Sequence, residues 1–220
     1  APPDMKAEAL AALSTWAISS LRDRLDVRFR VDVTREAAPV KAALQTMIEP
    51  LLKSNQSAMQ IAATKAAAKF ELTNTAPTLF ALVKNAKTEV KQAALQALTD
   101  LKSEQLNDAL EVALSDKDSE VRALALEIVP ESGLEEEKSV ALFEKILDNG
   151  TVKEQQSALT ALGTLKGESA TTLLGVMLTK LRRNAIPLAI HLDLIEAIEN
   201  QANTDLIEQL ELHQSSKKKD

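Results

Sequence analysis

The 220-residue sequence has no cysteine and no tyrosine, one tryptophan and four phenylalanines. Without cysteine it can form no disulfide framework, no thiolate metal site and no covalent c-type haem attachment within these residues. An aromatic fraction of 2% leaves alanine and leucine to build the core. Five glycines and seven prolines give little punctuation for many short strands, and alanine and leucine favour helix. Histidine is scarce too. His191 and His213 are the only two, and no His-Glu-x-x-His pair gathers donors around one metal. The expectation is an all-α chain with no cofactor and no metal of its own.

Excess basic charge is also missing, since the formal net charge is −6. Binding phosphate along a nucleic acid needs a dense basic surface. Here the bases are mixed with acids, apart from Arg182-Arg183 and Lys217-Lys218-Lys219. Nucleic acid is therefore not an expected partner. No apolar run approaches the roughly 18 residues of a spanning helix, so direct membrane contact is not expected either, and the isolated chain is expected to be a monomer. No serine lies in a GxSxG context or beside a histidine that would activate it, so nothing assembles a nucleophile and the chain is not expected to be an enzyme. Glu135-Glu136-Glu137 follows Gly133 and suits a helix start, where the dipole favours negative charge. Gly163 and Gly167 have GxxxG spacing but sit in polar "GTLKGE", and they read as a helix stop and a turn.

What the sequence does contain is a repeat. "VKQAALQALTDL" from Val90 aligns with "VRALALEIVPES" from Val121 and with "MQIAATKAAAKF" from Met59, each at an offset of 31. "EQQSALTALGTL" from Glu154 and "IHLDLIEAIENQ" from Ile190 follow at 33 and 36, and "MKAEALAALSTW" from Met5 lies 54 residues before Met59. Apolar residues fall at i, i+4, i+7 and i+8, as in Val90, Ala94, Ala97 and Leu98, which share one helical face. Between these segments lie second amphipathic stretches, "APTLFALVKNA", "EQLNDALEVAL", "SVALFEKILDN" and "ATTLLGVMLTKL". Each repeat is then a helical hairpin that buries its face only by stacking. Pro77, Asp118, Gly133, Gly150, Gly163 and Gly167 fall at or near the connections. Replacing Ala94 or Ala97 with a bulky residue is expected to overpack the stack.

At "SDKDSEVRALALEI" the chain resembles HEAT repeats: the acidic turn of Asp116 and Asp118, then Val121-Arg122 and an alanine-leucine helix, match the second half of a HEAT unit. The resemblance implies a HEAT-like (armadillo-like) α-solenoid, a right-handed superhelix of hairpins. In that family a turn acid and a helix base form a ladder across repeats. Lys91 and Arg122 fit it, whereas Gln60, Gln155 and His191 depart.

One stretch breaks the helical pattern. In "RLDVRFRVDV", Leu25, Val27, Phe29, Val31 and Val33 alternate with charged residues, a period of two that suits an extended segment. It lies where the spacing widens to 54, in an insertion at about 22–36 after the first repeat, and is expected to cap the open end by packing near Trp16. A single repeat domain is expected over 1–213, with a polar basic tail at 214–220.

"EALAALSTWA", "RDRLDVRFR" and "IPLAIHLDLIEAIE" are similar to the HEAT-repeat region of bacterial proteins of the membrane-bound dehydrogenase or haem-binding type. Members often carry an aspartate-glycine-arginine-aromatic arrangement at the insertion. Here Val27 stands at the glycine, with Phe29 as the aromatic. The resemblance implies a β-propeller before the repeats and a CxxCH cytochrome domain after them, in an extracytoplasmic or periplasmic protein. The chain opens at Ala1 with Met5 already inside a helical pattern, which fits a processed or excised piece of something longer. The expected function is a non-catalytic scaffold or spacer that contacts neighbouring domains of the same polypeptide or another protein. The rivals are a free-standing cytoplasmic adaptor and a HEAT-like enzyme such as a DNA glycosylase. The second of these would need a basic groove and aromatic side chains for the extruded base.

If the second helices line the concave side, as the resemblance implies, the positions two and six after each repeat start face the concavity, at 100° per residue. These are Ala7, Ala11, Ile61, Lys65, Gln92, Gln96, Ala123, Glu127, Gln156, Thr160, Leu192 and Glu196. This sparsely charged ridge suits a protein surface. Glutamates at Gln92, Gln96 and Gln156 are expected to weaken docking while leaving the fold intact.

Overall fold

The computed structural model describes residues 3–14 and 35–217. The expected extended stretch at 25–33 and its packing near Trp16 lie outside them. Among the described residues every regular element is an α-helix or a 3-10 turn, and the fold is an all-α solenoid. The chain forms two compact units, 1–112 and 113–220. Hairpin repeats pack on their sequence neighbours and so need not share one centre.

The first unit contains α1 (Pro3–Ser14), α2 (Ala38–Leu52), α3 (Ser57–Lys69), α4 (Ala76–Asn85) and α5 (Thr88–Asp100). Helix α3 lies between α1 and α5, with α2 packed on α3 and α4 on α5. Helix α2 fills most of the wide gap after the first repeat and has no counterpart among the segments expected from the sequence. Pro39 and Pro50 obscure it; Pro39 sits in the first turn, where no intrahelical N–H bond is lost, and Pro50 lies inside the helix near its end. Its buried face is Val40, Leu44, Ile48 and Leu52. On α5, Val90, Ala94, Ala97 and Leu98 are at most 2% exposed, as the repeat pattern requires.

Helix α6 (Leu106–Leu114) crosses the boundary between the units. The second unit continues with α7 (Ser119–Ile128), α8 (Glu136–Asn149), α9 (Val152–Thr164), α10 (Glu168–Arg182), α11 (His191–Gln201) and α12 (Thr204–Lys217). Helix α9 lies between α7 and α11, α8 packs on α9, and α10 packs on α8 and α11. Leu126, Phe143, Leu159, Leu162, Leu174 and Met177 share one buried cluster, each contributing about 1.5–3 kcal/mol by leaving water. Helix α12 runs on to Lys217, into the stretch expected as a polar basic tail. Its Leu206 and Leu210 are buried in the same cluster.

Helix starts follow local chemistry. The Asp118 carboxylate accepts from Glu120 N and caps α7. Thr151 and Glu154 form a capping box at α9, satisfying N–H groups that the first turn leaves without partners. Gly163, expected as a helix stop, instead lies buried within α9. A Cβ there would sit 2.9 Å from Ala197 Cα, so the missing side chain lets α9 and α11 approach.

Candidate functional site

The site expected from the sequence is the ridge of positions two and six after each repeat start, on the concave side of the second helices. In the first unit Lys65 and Gln96 are exposed, while Ala7, Ala11, Ile61 and Gln92 are half-buried. Lys65 and Gln96 share a cleft of about 280 Å³ between α3 and α5, floored by Ala68, Ala93 and Ala97 and flanked by Lys69 and Asp100. Gln96 Nε2 donates to Asp100 Oδ1 at 3.0 Å, which ties the amide to the end of its own helix.

In the second unit the ridge needs correction. Ala123 is 1% exposed; an alanine reaches no further than its Cβ, so it does not emerge between packed helices. Gln156 is half-buried, and its Nε2 donates to Ala189 O at 3.1 Å and to Asp193 Oδ2 at 3.2 Å. It staples α9 to α11. A glutamate here would remove the donor and face Asp193 with like charge, so Gln156→Glu bears on the α9–α11 contact as well as on docking. Glu127 is exposed and accepts from the Ser157 hydroxyl at 2.6 Å. The Thr160 hydroxyl turns back to Gln156 O. Leu192 and Glu196 are exposed; Leu192 is 65% exposed, and Leu188, four residues before it, is 82% exposed. Leu188 is missing from the ridge derived by helical arithmetic because it sits in the 3-10 turn Leu188–Ile190 before α11.

The ladder position, the residue immediately after each repeat start, is more regular than the residue types imply. Arg122 donates from a terminal guanidinium nitrogen to Asp116 O at 2.7 Å. The Gln60 Nε2 donates to Leu52 O at 3.2 Å and the Gln155 Nε2 to Leu147 O at 2.8 Å. His191 Nε2 lies 3.3 Å from Ile186 O, a hydrogen bond in the Nε2–H tautomer. Each side chain satisfies a main-chain oxygen in or just before the turn that precedes its helix, where helix ends leave carbonyls without partners. The three departures from the family's base therefore do one job.

Arg122 also reaches the next repeat, with its Nε 2.6 Å from Glu154 Oε1. Glu154 Oε2 accepts from the N–H and the hydroxyl of Thr151. The Arg122 hydrogen bond, against an opposing desolvation and helped by Thr151, holds the Glu154 carboxyl down at about 2, and that same bond chiefly raises Arg122. Both charges are engaged in structure. Lys166 Nζ donates to Asn200 O and Gln201 O at the end of α11, where cations are favoured.

Two surfaces were not read from the sequence. A groove of about 530 Å³ between α1 and α2 is lined by Leu10, Leu13, Val40, Leu44, Met47 and Leu51. One wall of it is α2, whose prolines mask its helical pattern in the sequence. A second, of about 580 Å³ between α8 and α10, sets Glu136, Glu137, Glu144 and Glu168 around Val140 and Val176. Among the described residues no group of three or more His, Cys, Asp or Glu is arranged to hold a metal, and none of the described helices is long and apolar enough to cross a membrane.

The family model described as HEAT repeats matches residues 76–163, from the first residue of α4 to the last turn of α9. The match supports a HEAT-repeat domain over those residues. No curated protein matches it.

Proposed function

We propose that the chain is a non-catalytic helical scaffold that docks a protein or a neighbouring domain through the concave-side ridge of its second helices. HEAT repeats generally act as protein-interaction scaffolds. The observation that carries the reading is Leu192 with Leu188: two leucines four residues apart and mostly in water, beside Gln156 and Thr160, whose side chains are engaged in internal hydrogen bonds. Large apolar side chains exposed close together in the chain mark contact surfaces more often than scattered ones do. The test is site-specific photocrosslinking from Leu192 in the native polypeptide, with exposed Glu208 on α12 as control. A discrete adduct from Leu192 and none from Glu208 is expected; equal labelling removes this face.

We further infer a spacer role within an extracytoplasmic dehydrogenase or cytochrome protein. Its support is the similarity of Glu8–Ala17, Arg22–Arg30 and Ile186–Glu199 to that group. The reading frame around residues 1–220 decides it: a propeller upstream and CxxCH downstream are expected, and stop codons at both ends would make the chain a free-standing adaptor, cytoplasmic in that case.

A further inference from the structure

We draw no further inference here: the strongest candidate, the cleft between α8 and α10 where Glu136, Glu137, Glu144 and Glu168 surround Val140 and Val176, rests on an acidic cluster at a helix N-terminus, and nothing in the structure shows what covers it.

Discussion

Helices α3 and α9 hold the same place, each the middle member of a row of second helices, yet they are secured differently. Helix α3 buries Met59, Ala63, Thr64, Ala66 and Ala67, and its N-cap, Gln56, makes no side-chain cap bond. Helix α9 buries Glu154, Gln155 and Ser157 beside its apolar residues and starts with a capping box. Small side chains let α3 rely on close packing. In α9 the buried polar groups are bonded to neighbouring elements, through Arg122, Leu147 O and Glu127. A buried polar group costs free energy unless it is partnered, so the two helices should respond oppositely when polar atoms are removed.

The largest expected effect tests a place where α9 itself relies on close approach. Gly163→Val pushes side-chain atoms into the α11 backbone at Ala197, and the unfolding free energy should fall by about 3 kcal/mol, since rigid main chain relaxes little. An unchanged denaturant midpoint would mean that α9 and α11 separate freely.

Next comes Glu154→Gln, which breaks the ion pair while keeping the shape. A loss of about 2 kcal/mol at neutral pH is expected from leaving Arg122 without its carboxylate. The sign of the pH dependence follows from a folded value near 2 below the ordinary 4.5. The parent's advantage is complete above pH 4.5 and fades as pH falls towards 2. Parallel stability curves for parent and variant across that window would show that the pair contributes nothing.

Thr64→Val sharpens the contrast from the α3 side. The Thr64 hydroxyl is fully buried and has no hydrogen-bond partner. Replacing it with a methyl group of similar shape should stabilise the chain by about 1 kcal/mol. A lower melting temperature would place α3 with α9 as a helix that needs its polar atoms. The smallest effect concerns a helix end. Ala202 closes α11 in the left-handed region at φ 59°, and Ala202→Gly should gain about 0.5–1 kcal/mol, because glycine adopts that conformation without a Cβ clash. A loss, read by thermal melting, would show that the methyl group's packing outweighs its backbone strain.

Much of the architecture was legible because burial of one helical face leaves a period that survives any change of neighbour. The starts near Met59, Val90, Val121 and Glu154 fall within α3, α5, α7 and α9 for that reason. Helix α2 was hidden by its two prolines, and α12 by a polar end that reads like a tail. The contact ridge was legible only as angles. Angles do not show that Ala123 is too short to emerge, or that Gln156 finds a carbonyl 33 residues away. Likewise the residues facing Gly163 become neighbours only when α9 and α11 are packed. Such facts depend on where distant main chain arrives, and no local pattern encodes that.

The side chains that reach back from Gln60, Arg122, Gln155 and His191 to preceding carbonyls have a consequence for how this chain can drift in evolution. Each position is constrained to present one N–H at one point in space, and an amide, a guanidinium and an imidazole all do so. Protonating the imidazole keeps the donor. Charge at these positions is thus free to vary while the connection stays closed, and repeats of this kind can lose their recognisable residue without losing the contact it made. Divergent repeats are better compared by the hydrogen bond each one completes than by the letter each one carries.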